Sequence, residues 1–149
     1  MNYEIRDISI EETRPLRLAV LRPGFPPESV IYTEDTRPGS FHLGLFIDKK
    51  LVTVSSFYPQ PNGLFKGAVQ YQLRGMATDP AYRNQQAGKR ILDYAICRLK
   101  ELKADILWCN GRLVATSFYE RLGFRLVGEM FHSIEIPHKV MVLRLNEKA

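Results

Sequence analysis

The chain has 149 residues, 45% hydrophobic and 25% charged, the balance of an ordinary globular protein. That length reads as one domain, 1–149, able to bury roughly 70% of its unfolded surface, so whole-chain disorder, collagen and coiled coil are excluded. Twenty-one Lys and Arg against 16 Asp and Glu leave a net charge of +5, which suits an anionic partner without choosing among nucleic acid, acidic lipid and a phosphorylated cofactor.

No apolar run approaches the ~18 residues of a membrane span. The polar stretch Met1–Asp7 is not expected to be a signal peptide. Cys97 and Cys109 form neither a C-x-x-C pair nor a disulfide framework, so a reducing cytoplasm is the expected compartment.

Tyr3 to Ile8 alternates loosely and reads as a first strand. Ser9 with Glu12 has the spacing of a capping box, but Pro15 conflicts with so early a helix interior. The regular helix is therefore expected from about Thr13 to Leu21. Arg22–Pro27 and Tyr58–Gly63 read as loops, because Pro and Gly interrupt both helix and ladder. Phe41–Ile47 and Leu51–Phe57 flank Asp48-Lys49-Lys50 as a hairpin, and Ala68–Thr78 is a further extended segment with Gly75 as a candidate bulge.

From Gly88 to Leu102 the period changes. Ile91, Leu92, Ala95, Ile96, Leu99 and Leu102 share one face, the mark of an amphipathic helix. Ile106–Cys109 is a short apolar run, as in a strand buried on both faces. Arg112–Leu122 reads as a second helix stopped by Gly123, and Phe124–Phe131 with Val140–Leu145 as a closing strand pair. The order is β-α-β-β-β-α-β-α-β-β. The right-handed crossover rule makes the strands on either side of the Gly88–Leu102 helix parallel neighbours. The hairpins are antiparallel, so the fold class is α/β with a mixed, mostly antiparallel sheet.

Chemistry concentrates where Thr78-Asp79-Pro80-Ala81-Tyr82-Arg83-Asn84-Gln85-Gln86-Ala87-Gly88-Lys89 joins a strand to a helix. A helix start presents unpaired N–H groups and positive dipole, a natural phosphate site, and Arg83 and Lys89 add charge. Alone, the segment also reads as a polar loop before a basic helix.

The later run Ala115-x-x-Phe118-Tyr119-Glu120-Arg121-Leu122-Gly123-Phe124 changes that balance. With Tyr82–Lys89, it resembles the GNAT superfamily of acyl-CoA-dependent N-acyltransferases, most strongly from Leu73 to Phe124. The Leu21-Arg22-Pro23-Gly24 segment and the Ile136-Pro137-His138 turn are similar to a bacterial branch of the ElaA or YjcF kind. Two departures stand out. Gln86 replaces a usual glycine, although an ordinary helical first turn requires no positive φ there. Arg112 replaces a frequent asparagine.

The resemblance implies helices on both faces and a central parallel pair that splays apart at its C-terminal ends. Acetyl-CoA would be the co-substrate, with no metal. Its pantetheine arm would pair with backbone near Met76, Ala77 and Thr78, and its pyrophosphate would meet Arg83, Asn84, Gln85, Gln86, Ala87, Gly88 and Lys89. Arg112, Ala115 and Phe118 are further implied contacts. The thioester carbonyl would lie at the Gly75–Met76 backbone. Tyr119 is the implied general acid, with an aromatic packed under the sheet as the other reading.

For the general base His138 is favoured, because Ile136-Pro137 presents it at the start of the last strand and histidine suits neutral pH. Glu129, His132, Glu135 and ordered water are the alternatives. Cys109 reads as a buried structural thiol rather than a nucleophile. Zinc held by Cys109, His132 and His138 fits no ligand spacing. The acceptor would be a small-molecule or peptide amine, met by the loop from Leu21 to Thr36 and the turn near His132, and a homodimer is left open. Rival functions are an acyl-CoA sensor and a nucleic-acid module built on Arg83, Lys89, Arg90, Arg98, Lys100 and Lys103. Acids mixed among those bases, without interleaved aromatics, argue against the second.

Overall fold

The computed structural model describes residues 2–133 and 136–145. In chain order it contains β1 (Tyr3–Asp7), α1 (Ile10–Leu16), β2 (Phe41–Ile47), β3 (Lys50–Pro59), β4 (Gln70–Thr78), α2 (Ala87–Glu101), β5 (Ile106–Arg112), α3 (Thr116–Arg121), β6 (Arg125–Ser133) and β7 (Ile136–Arg144). The strands form one seven-stranded sheet ordered β1-β2-β3-β4-β5-β7-β6. β4 and β5 are parallel, whereas β1–β2, β2–β3, β5–β7 and β6–β7 are antiparallel. This is the expected mixed sheet with one parallel pair. Two compact units divide the chain: Met1–Pro59 with Leu73–Arg98, and Gln60–Gln72 with Leu99–Ala149. Among the described residues no helix is long and apolar enough to cross a membrane.

In the first unit, Asp48 and Lys49 take φ of 47° and 71°, the left-handed pair that lets a two-residue turn follow the twist of β2 and β3. Ile8, Phe46, Val54 and Ala77 form a core packed by Leu16, Val20, Leu21 and Leu51. α1 starts at Ile10 rather than near Thr13. The capping box decides this: the Glu12 N–H donates to Ser9 Oγ at 3.2 Å, and the Ser9 N–H to Glu12 Oε1 at 2.9 Å. Pro15 lies inside the helix, and the carbonyl its missing N–H leaves open belongs to Glu11, an exposed residue that water can reach. A wider π-helical turn follows over Arg17–Leu21.

In the second unit, Ile106, Leu107, Trp108 and Cys109 are all buried, as a strand covered on both faces requires. β4 contributes the parallel register Gln70↔Ile106, Tyr71↔Leu107 and Gln72↔Trp108. Phe65, Ile106, Trp108 and Val142 form the core, with Val127 and Val140 against it. The Trp108 indole N–H donates to Gln60 O at 2.9 Å.

Two expected boundaries differ here. The helix expected over Arg112–Leu122 is shorter, because the β5 ladder to β7 continues through the pair Arg112↔His138. A 3₁₀ turn at Leu113–Ala115 then leads into α3, and Gly123 ends it at φ 100° as expected. The stretch expected as a turn before Val140 is mostly strand: Phe131, His132 and Ser133 pair with His138, Pro137 and Ile136. His138 therefore sits within β7, not at its mouth. Glu135 lies outside the described residues.

Candidate functional site

The link from β4 to α2 is tied down at several points. The Asp79 N–H donates to Val52 O at 2.8 Å, and its carboxylate accepts the Ala81 N–H at 3.0 Å. That bond, reinforced by Lys50, holds the Asp79 carboxyl below its ordinary range. A 3₁₀ turn over Pro80–Gln85 follows, with proline at its first position, where no N–H is needed. The Tyr3 hydroxyl donates to Gln85 O at 3.4 Å, and the Arg90 guanidinium lies 4.1 Å from the Tyr3 ring centroid.

Gln86 then adopts φ 57° and ψ 28°, and its carbonyl accepts the Arg90 N–H at 3.0 Å. The expectation that this position needs no positive φ is thus corrected. The chain must reverse between a 3₁₀ turn and a new α-helix, and a left-handed residue makes that reversal. Ala87 is buried and Gly88 half-buried, while Arg83, Gln86 and Lys89 are exposed. Lys89 Nζ pairs with Asp93 at 2.9 Å along the helix.

Further back on β4, Met76 and Thr78 are half-buried and Ala77 is buried. Thr78 Oγ1 lies 3.0 Å from Thr53 Oγ1. Gly75 bends the strand at φ 68°, and a Cβ there would come within 2.9 Å of Arg17 Nε and 3.1 Å of Tyr32 Cε2. Only glycine suits both the backbone and the space.

That crowding exposes a cluster the residue-level reading missed. Arg17 is fully buried and donates to both Asp35 carboxylate oxygens at 2.9 and 3.0 Å, to Val30 O at 3.0 Å, to Ser56 Oγ at 2.7 Å and to the Tyr58 hydroxyl at 3.3 Å. Burial alone would raise the Asp35 carboxyl, but hydrogen bonds from Arg17 and Tyr58 and the Arg17 charge hold it below its usual range. Burial and the bond to Asp35 push the Tyr58 phenol up. His42 Nε2 faces the Asp35 carbonyl at 3.2 Å and must donate to it, so Nδ1 accepts from the Ser56 hydroxyl at 2.7 Å. Burial lowers the His42 pKa, aided by the Arg17 charge.

On the Tyr32 ring the Arg17 and Arg74 guanidinium carbons sit 4.2 and 3.9 Å from the centroid, and Arg74 Nη1 pairs with Glu34 Oε2 at 3.0 Å. The sequence carried no signal for this cluster, because the burial of Thr13 and Arg17 is set by tertiary packing.

The second unit holds the other expected site residues. Tyr119 packs edge-on to Phe118 at 5.2 Å and to Phe124 at 5.4 Å between ring centroids. The Tyr119 ring lies against β5 at Gly111, where a Cβ would meet it at an ordinary 3.5 Å but would crowd Met141 Sδ at 3.0 Å. Burial, with Cys109 adding to it, raises the Tyr119 phenol well above its ordinary range, against the opposing charge of Arg112. Burial also pushes the Cys109 thiol up to about 12, so it stays a protonated core group and is no nucleophile at neutral pH. Arg112 is half-buried directly across from His138 on β7.

His138 is buried, its ring 5.7 Å from Phe131 and nearly parallel to it. Nδ1 donates to Ile136 O at 2.7 Å, since a carbonyl only accepts, and Nε2 therefore carries the lone pair. Ala115 and Phe118 are half-buried, and Glu129 and His132 are exposed. Among the described residues no group of three or more His, Cys, Asp or Glu is placed to hold a metal. Met76–Thr78 and Arg83–Lys89 thus belong to the first unit, and Arg112, Ala115, Phe118, Tyr119 and His138 to the second.

Comparison with known proteins bears on the family and the fold. The model of the acetyltransferase (GNAT) family matches residues 3–124. The chain is 41% identical over 141 residues, 95% of each chain, to the uncharacterized N-acetyltransferase YitI of Bacillus subtilis strain 168. A putative N-acetyltransferase structure from Lactobacillus plantarum superposes with a TM-score of 0.81 at 20% identity, over 97% of this chain and 99% of that one. Escherichia coli ElaA gives 0.77 at 17% identity, over 95% and 99%. An aminoglycoside 6'-N-acetyltransferase complexed with coenzyme A gives 0.75 at 15%, over 98% and 99%.

Proposed function

The chain belongs to the GNAT acetyltransferase family and is an N-acetyltransferase, and from that premise we propose acetyl-CoA as its donor and direct attack by an acceptor amine as its chemistry. The donor supplies an acetyl group already activated as a thioester. The first turn of α2 and Arg83 hold its pyrophosphate, with Asn84, Gln85, Gln86, Gly88 and Lys89 supplying the rest of that cradle. The backbone of Met76, Ala77 and Thr78 pairs with the pantetheine arm as an added strand, and Arg112, Ala115 and Phe118 line the cofactor. The Met76 N–H polarises the thioester carbonyl beside the Gly75 bend.

As the amine nitrogen bonds to the carbonyl carbon, the C–S bond breaks. His138 Nε2 takes the amine proton, and the Tyr119 hydroxyl donates to the departing sulfur. Support for the base comes from the Ile136 carbonyl, which fixes the tautomer with Nε2 unprotonated. The free Cys97 and Cys109 fit a reducing cytoplasm.

The start of α2 carries the reading: a left-handed residue, a buried Ala87 and a half-buried Gly88 open a helix whose first N–H groups bind an anion. At one hundred times its dissociation constant, acetyl-CoA should stabilise the protein by about 2.7 kcal/mol, seen as a raised melting temperature. Gly88→Glu, which puts bulk and negative charge against the helix dipole, should remove the shift. No shift with millimolar acetyl-CoA in folded protein would end the enzyme reading. Release of free thiol separates the enzyme from an acyl-CoA sensor.

A further inference from the structure

Two arginines meet the Tyr32 ring, and their surroundings differ in a way that bears on the acceptor. Arg17 is fully buried, and its guanidinium nitrogens Nη1 and Nη2 are occupied by Asp35, Val30 O, Ser56 and Tyr58. Its role is architectural: it supports Tyr32 from within and packs against the Gly75 bend. Arg74 is held by two contacts and is not saturated. Its guanidinium stacks 3.9 Å from the Tyr32 centroid, and Glu34 engages Nη1 at 3.0 Å. Its side chain keeps 40% of its exposure, and among the described residues Nη1 is the one nitrogen with a protein hydrogen-bond partner. A planar fork fixed by stacking and one ion pair, with donors still turned to solvent, is preorganised for a carboxylate and loses little entropy on binding one.

Position gives that fork its use. Arg74 immediately precedes Gly75, and the Tyr32 edge that touches the Gly75 position belongs to the ring carrying the Arg74 guanidinium. Resting on the proposed function, the thioester carbonyl lies at Gly75–Met76, so an amine attacking there passes beside Arg74 and Glu34. Charge points the same way. Arg17 and Asp35 cancel, as do Arg74 and Glu34, so the cluster is neutral overall. An acceptor with only an amine would find a partner in Glu34 and leave the Arg74 fork desolvated without one, a costly outcome. A zwitterion satisfies both members and keeps the balance.

We propose that Arg74 is the specificity-determining anchor for a carboxylate on the acceptor, and that the acceptors are free α-amino acids, bound by carboxylate to Arg74 with the amino group on the Glu34 side.

The test measures thiol release from acetyl-CoA with a panel of free amino acids and the matching amino-acid amides, which keep the amine and lose the negative charge. Free acids should be preferred in kcat/KM by about tenfold or more, the range for losing a hydrogen-bonded charged partner. Arg74→Gln should collapse the acid-to-amide ratio toward one, chiefly through KM for the acids. Arg74→Lys, which keeps charge without the fork, should retain part of the preference. Equal use of acids and amides by the parent, or an unchanged ratio in Arg74→Gln, overturns the proposal. So does failure of every amino acid while acetyl-CoA still raises the melting temperature, which leaves the acyltransferase reading standing. Loss of that thermal shift in the parent overturns both.

Discussion

Replacing Gln86 by glycine tests the proposed cofactor loop at its left-handed residue. Gln86 sits at φ 57°, and its side chain is exposed. Holding a non-glycine L-residue in the left-handed region costs about 1–2 kcal/mol. Glycine removes that cost but adds freedom to the unfolded chain, worth ~0.4–1 kcal/mol in the opposite direction. The net expectation is a gain of about 0–1.5 kcal/mol, a rise in melting temperature of up to ~5 °C at this chain length. The carbonyl that accepts the Arg90 N–H is kept, so α2 should start at the same residue. Acetyl-CoA affinity, measured calorimetrically, should equal the parent's or improve, because backbone rather than side chain forms the anion site. Gln86→Ala is the control: it retains the left-handed Cβ and should match the parent in affinity. A complete loss of acetyl-CoA binding in Gln86→Gly, or a destabilisation beyond 1 kcal/mol, would show that the glutamine side chain itself contacts the cofactor or the loop.

Tyr119→Phe keeps the ring and its contacts with Phe118 and Phe124, so turnover should fall ~10²–10⁴-fold with acetyl-CoA affinity nearly unchanged; equal activity would leave Tyr119 as packing alone. His138→Gln should lower turnover ~10²–10⁴-fold with acetyl-CoA affinity nearly unchanged, and unchanged turnover would pass the role to Glu129, Glu135 or ordered water. Asp35→Asn should cost about 3–5 kcal/mol in urea unfolding by stranding the buried Arg17. Because folding lowers the Asp35 pKa, the pair's contribution is complete above the unfolded value of ~3.9 and disappears as pH falls through the lower folded value. Asp35→Asn should lack that acid-side loss, and a cost under 1 kcal/mol would mean that Arg17 finds other compensation.

Element type was legible wherever a period ran long enough. Ile91, Leu92, Ala95 and Leu99, all buried, announced α2, whereas Leu102 lies beyond its end and is exposed; the continuous run Ile106–Cys109 announced a strand buried on both faces. Boundaries failed where tertiary pairing or a cap outweighed local signals. Pro15 argued for a late start to α1, yet the two hydrogen bonds between Ser9 and Glu12 set the start at Ile10. Arg112 and Ile136–Lys139 carry no strong strand signal, but they are extended because β5, β7 and β6 satisfy each other's backbone groups. The left-handed turn at Gln86 was illegible for a different reason. Glutamine does not advertise positive φ, and the need for it arises from joining a 3₁₀ turn to α2. The cluster around Tyr32 was legible only as a loop, because its partners lie far apart in sequence: Glu34 meets Arg74 across 40 positions, and Arg17 meets Asp35 across 18.

One physical cause, burial, gives Cys109 on β5 and Tyr119 on α3 different chemical consequences. It raises both the Cys109 thiol and the Tyr119 phenol. For the thiol, a higher pKa removes the thiolate and with it any nucleophilic role. For the phenol, it guarantees a proton at every working pH but makes complete transfer to a thiolate uphill, since an ordinary thiol titrates near 8.5, below even an unperturbed tyrosine. In the proposed reaction Tyr119 would therefore act by holding a hydrogen bond to the sulfur as negative charge develops, which lowers the barrier without requiring the phenolate to form. A donor used in this way contributes no alkaline limb below about pH 10.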